Sequence, residues 1–195
     1  MSFLTGTNVE TIYTSTSTFN LNTFTTEAVI NKGTTQVQAH VPPDFWLANN
    51  SQLGRGIYIR ARGIVSSTAT PSYTWTVRLG ASGITGPIVL GSAALATASG
   101  VTNVPWNLEG TVVLEAIGQA GGNSTARGIG TLMTDGYSAA TTTRMYQLYG
   151  GAATPGTVAT VDTSITNYIN LDITCTASSA SNTITLQQME VYGLN

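Results

Sequence analysis

The chain has 195 residues, 42% of them apolar and only 8% charged, with a net charge of −2, where soluble domains ordinarily carry about 25% charged residues. That much apolar content supports a folded core, so the shortage of charge does not signal disorder. It does argue against whole classes of function. One lysine (Lys32), scattered arginines and dispersed carboxylates offer no basic patch for nucleic acid and little material for acid–base catalysis or phosphate capture.

The length suits one domain with or without an arm. Residues 1–30 stand apart: they are rich in Thr, nearly free of Gly, and carry isolated aromatics at Phe3, Tyr13, Phe19 and Phe24. An extended N-terminal arm and a peripheral strand pair both fit this stretch. The start lacks a basic segment followed by an apolar one, so no secretory signal is read there. No apolar run approaches the ~18 residues of a membrane span. The expectation is synthesis in a cytosol.

Residues 31–195 carry the domain. From Thr34, the apolar Val37, Ala39 and Val41 alternate with Gln36, Gln38 and His40 until Pro42 and Pro43 end the strand. Ile57, Ile59 and Ala61 then oppose Tyr58, Arg60 and Arg62, and Tyr73, Trp75, Val77 and Leu79 oppose Thr74, Thr76 and Arg78. Residues 87–90 read as a short strand. Trp106, Leu108, Val112, Leu114 and Ala116 share a face, with Asn107, Glu109, Thr111 and Glu115 on the other. A Gly-rich turn over 118–124 leads to another strand. Residues 135–165 hold one apolar segment, at 145–149, between small-residue loops. Ile169, Leu171, Ile173 and Cys175 alternate with Asn170, Asp172 and Thr174. A turn at 178–182 then reverses the chain into a last strand, whose alternation slips at Gln187 and Gln188, the signature of a β-bulge. No stretch has a helical period. About eight strands at sandwich-like spacing predict an all-β fold, a two-sheet antiparallel β-sandwich of jelly-roll type.

The search for chemistry returns little. His40 is the only histidine and sits on an outward strand phase near Asp44, where a surface role is the simpler reading. Cys175 is in phase with core residues and reads as a small buried hydrophobe. Glu109 and Glu115 share a face but lie about 20 Å apart along a strand, too far for joint catalysis. A calcium site would need Asp135, Asp162 and loop carbonyls. The chain therefore reads as a non-enzyme with no cofactor and no resident metal. Arg60, Arg62 and Arg78, with Tyr58 and Tyr168 on the same outward phases, either solubilise a sheet face or meet acidic groups of a partner. The same tyrosines would also serve as a stacking platform for sugars.

Three runs carry a resemblance: Trp106 to Gly118 (WNLEGTVVLEAIG), Gly128 to Thr131 (GIGT), and Asn167 to Leu186, ending in a Ser/Ala/Asn turn and an Asn-Thr-Ile-Thr strand. Over residues 100–195 the chain resembles small virion proteins of tailed bacteriophages. The resemblance implies a β-sandwich that decorates or cements the capsid, or belongs to a fibre or tail tip. It further implies a homotrimer with the major capsid protein or other virion proteins as partners, located in the virion. Phe3, Tyr13, Phe19 and Phe24 of the arm, with Tyr58, Arg60, Arg62 and Arg78, are the expected contact residues. The alternative is a carbohydrate-binding or receptor-binding module of a tail or fibre protein. Neither reading involves nucleic acid or a membrane.

Overall fold

Alternation decides which way each strand faces, and the chain keeps to it. A computed structural model describes residues 9–31, 38–47, 55–81, 83–118, 123–136, 144–153 and 157–194. Phe3, Val37 and the middle of the predicted Gly-rich turn lie outside the described residues. In β5 (Gly56–Ser67), Ile57, Ile59, Ala61 and Val65 are buried between the half-buried Tyr58, Arg60, Arg62 and Ile64. In β6 (Ser72–Gly80), Tyr73, Trp75, Val77 and Leu79 point inward. The same rule holds in β9 (Val101–Ala116) from Trp106 to Leu114, in β10 (Ser124–Thr134) and in β14 (Thr183–Leu194), whereas in β13 (Asn167–Cys175) the outward Asn170 and Asp172 are buried along with the inward Ile169, Leu171 and Ile173.

Shorter strands fill the gaps: β1 (Glu10–Ser15), β2 (Phe19–Asn22), β3 (Ala28–Val29), β4 (His40–Val41), β7 (Ile88–Gly91), β8 (Leu95–Ala96), β11 (Arg144–Tyr149) and β12 (Ala159–Val161). The described residues thus hold more strands than the eight expected, fourteen in all. The excess lies mostly in pieces of two to four residues, which are too short to display a period.

All pairings are antiparallel, and they build two layers. The order β1/β2–β14–β5–β9 forms one layer and β3/β4–β13–β6–β7 the other. This interleaving of early with late strands is what paired Greek keys produce in a jelly roll. Strands β10, β11 and β12 extend the first layer beyond β9. A single pair, Tyr149 with Gly91, continues the hydrogen bonding around the corner into the second layer. The layers meet through Trp75 and Trp106, whose ring centroids are 4.7 Å apart. Within residues 1–30, β1 and β2 each lie along β14 of their own chain.

The predicted bulge is present: the β5–β14 register slips between Leu186 and Gln188, leaving Gln187 as the extra residue. Gly63 stands opposite it, and a Cβ there would fall 1.8 Å from the Thr185 carbonyl oxygen and 2.8 Å from the Trp106 ring. The displaced backbone therefore tolerates only glycine. Gly63→Ala is expected to lower stability by about 1–3 kcal/mol, read as a lower urea midpoint at unchanged slope.

Candidate functional site

The outer face of the first layer is a grid, because paired residues of adjacent strands point the same way. Tyr192, Tyr58, Thr111, Ile129 and Tyr149 make one row across β14, β5, β9, β10 and β11. Glu190, Arg60, Glu109 and Thr131 make the next, and Gln188, Arg62, Asn107 and Met133 the third.

The middle row is an ion-pair ladder. Arg60 Nε lies 3.1 Å from Glu109 Oε1, and its Nη1 is 3.9 Å from Glu190 Oε2. Asn107 donates to Glu109 at 3.1 Å, and Arg62 Nε donates to Asn107 Oδ1 at 3.2 Å. The Asn107 amide, then the Tyr58 hydroxyl and Arg60, hold the Glu109 carboxyl below the usual carboxylate range. The Tyr58 and Tyr192 phenols are raised, first by burial, with Glu109 and Glu190 as the carboxylates beside them. Their rings are near-parallel, with centroids 6.3 Å apart. This face is pre-set by its own chain.

At one end of the grid the sheet opens. Pairing between β9 and β10 stops at Trp106 with Thr134, and Pro105, which has no N–H to donate, pairs only toward β5. The bulge aims Gln187 into the same place. The result is a cleft of about 440 Å³ lined by Arg62, Gly63, Pro105, Trp106, Asn107, Met133, Thr134, Asp135 and Gln187. Gln187 and Asp135 are exposed, and Arg62 is engaged among the described residues only through Nε.

The other expected contact residues lie elsewhere. Arg78 shares an outward phase with Arg60 and Arg62, but β5 and β6 belong to opposite layers, so Arg78 stands on the far side of the sandwich. There its Nε and Nη2 grip both Glu27 oxygens at 2.9 Å, and its Nη1 donates to the Gly86 carbonyl at 2.6 Å. Tyr168 is on that far side too, beside His40. Tyr13 and Phe19 pack half-buried against the core, and Phe24 is buried against Tyr73. Cys175 is buried. Glu115 pairs with Arg127, and Asp162 accepts the Ser164 N–H. Among the described residues no three His, Cys, Asp or Glu side chains gather as a metal cluster.

Two features carry no signal in the sequence. Arg55 lies 4.1 Å over the Phe45 ring, donates to the Phe45 carbonyl and pairs with Glu10 at 3.6 Å. Asp172, on an outward phase, is nonetheless 0% exposed beneath the Glu27–Arg78 pair, with Arg78 Nε 3.6 Å from Oδ2 and neither oxygen hydrogen-bonded. Burial, then Glu27, push its carboxyl up to about 7 against the opposing pull of Arg78. No local pattern marks this, because the cover, Glu27 and Arg78, comes from segments far earlier in the chain.

The fold and face define an antiparallel jelly-roll sandwich with a largely apolar cleft, edged by a few polar side chains, on one outer sheet. No family model matches the chain, and no curated protein matches it. Among solved structures it is similar to the CBM2 module of the evolved Dit of Lactobacillus casei BL23 phage J-1, at 12% identity and TM-score 0.35 over 97% of each chain. It is also similar to a legume lectin-like domain from Entamoeba histolytica, at 9% identity and TM-score 0.28 over 91% of this chain and 84% of that one. Similarities of this size do not assign a function, which has to come from the face itself.

Asp172 gives a pH test. Its folded value lies above the ordinary 3.8, so the unfolded chain releases this proton first as pH rises. Its contribution to stability is whole below about pH 4 and is lost progressively up to about pH 7, at roughly 1.4 kcal/mol for each pH unit of that window. Asp172→Asn is expected to flatten unfolding free energy across that window and to stabilise the protein above it, as measured by urea titration at a series of pH values.

Proposed function

We propose that the chain is a non-catalytic saccharide-binding β-sandwich module whose ligand sits in the cleft at the bulge. The observation that carries this reading is the convergence of Gln187, Arg62, Asn107 and Asp135 over an apolar floor of Trp106, Pro105 and Met133. Sugar hydroxyls both donate and accept, and planar amide, guanidinium and carboxylate groups engage adjacent hydroxyls in pairs. The C–H faces of a sugar pack on apolar side chains, and a largely apolar pocket with a few convergent polar groups is the usual form of a small-ligand site. Among the described residues Asp135 is the one carboxylate lining the cleft. Glycoside hydrolysis ordinarily takes two facing carboxyls, so binding without cleavage suits the site. The resemblance of residues 100–195 to tailed-phage virion proteins supplies a setting, namely attachment of a virion to a glycan on its host.

The test is an array of neutral and acidic bacterial-surface glycans. Specific binding is expected, and Gln187→Ala or Asp135→Ala should weaken it on the order of tenfold, the scale of one or two lost hydrogen bonds. Absence of saccharide binding by the folded protein would sink the proposal.

The second reading is a capsid-decorating homotrimer, for which the specific support is an apolar patch on the same layer. Ile129 is 55% and Met145 63% exposed there, beside Met133. A trimeric mass in solution that Ile129→Glu reduces to a monomer would favour it, and a monomer at every concentration would remove it.

A further inference from the structure

We infer that the site is a linear groove for an uncharged oligosaccharide of several rings, running along β5 from the bulge cleft to the paired tyrosines Tyr58 and Tyr192. The inference rests on the saccharide reading above and specifies its ligand.

Three observations carry it. First, Tyr58 and Arg62 lie on the same strand face four residues apart, a separation of about 13 Å at the rise of an antiparallel strand. One sugar ring does not cover that distance, whereas a short chain does. Second, both ends offer what a ring requires. The cleft presents Gln187 and Asp135 for hydroxyls, and the far end presents two half-buried, near-parallel tyrosine rings. The rings are held by the charged row beneath, since Glu109 and Glu190 face the two phenols and both grip Arg60. A ligand therefore finds the platform already ordered, which lowers the entropic cost of binding.

Third, the face between the two ends carries no excess of positive charge. Arg60 is shared by two carboxylates, and Arg62 is tied to Asn107, which is itself tied to Glu109. With Asp135 included, two cations face three anions, leaving no cationic surplus to select an acidic sugar or a phosphate. Complementarity here is to a polar ligand without charge.

The experiment compares neutral linear oligomers of glucose, galactose, mannose, rhamnose and N-acetylglucosamine, each as mono-, di- and tetrasaccharide, by calorimetry on the intact protein. For whichever sugar binds, affinity should rise from disaccharide to tetrasaccharide by about tenfold or more. Tyr192→Ala should erase that rise while leaving disaccharide binding unchanged, and Tyr192→Phe, which keeps the ring, should retain it. Gln187→Ala should weaken every length alike. Equal affinity for mono- and tetrasaccharide, or a length dependence that survives Tyr192→Ala, overturns the groove while leaving a saccharide site at the bulge. Preference for an acidic glycan on the array also overturns it. Failure of every saccharide to bind overturns both.

Discussion

The contact between Trp75 and Trp106 is where the two layers of this protein are locked face to face, and the rest of the molecule is arranged around keeping it. Each tryptophan sits on a long strand whose inward positions are apolar for its whole buried length. Pressing the two inner faces together removes Tyr73, Val77, Leu79, Leu108 and Leu114 from water with them. Burial on this scale is the main favourable term in folding. Because a strand has a period of two, every inward commitment fixes an outward one. Once Trp106 is in, Pro105 and Asn107 must be out, and the rim of the cleft follows from the packing of the core.

The outward positions show how so few charges are used. Arg55, Arg60, Arg78 and Arg127 each meet a carboxylate of their own chain. The more exposed of these pairs, at Arg60 and Arg127, add little stability, so their value lies in fixing geometry. The ladder of Glu190, Arg60 and Glu109 holds two tyrosines in place on one face. On the other, the Glu27–Arg78 pair closes over Asp172 and ties the N-terminal strands to the second layer. Scarce charge organises both outer faces largely from within the chain, with Arg62, held by Asn107, the outward arginine on the cleft that meets no carboxylate among the described residues.

Long alternations are legible in residue order alone: the inward faces of β5, β6, β9, β13 and β14, the buried Cys175, and the slip at Gln187. Each depends only on neighbours along the chain, and that is why it can be read. The strands of two or three residues other than β4 are not legible, since so short a segment has no period to show. Nor is the separation of Arg78 from Arg60 and Arg62. All three occupy outward phases of consecutive long strands, and nothing local says that the connection between those strands crosses from one layer to the other.

Residue order therefore dictates which side of each long strand faces the core, that the fold is a sandwich of antiparallel sheets, and where one strand must bulge, because pleating turns sequence directly into sidedness. Which outward residues share a face was settled by tertiary packing. Pairing across β14, β5, β9 and β10 gathered Gln187, Arg62, Asn107 and Asp135 at one end of a grid and two tyrosines at the other. The physical reason is that adjacency within a sheet is set by strand order and register, which depend on how two apolar faces close over each other and not on any segment alone.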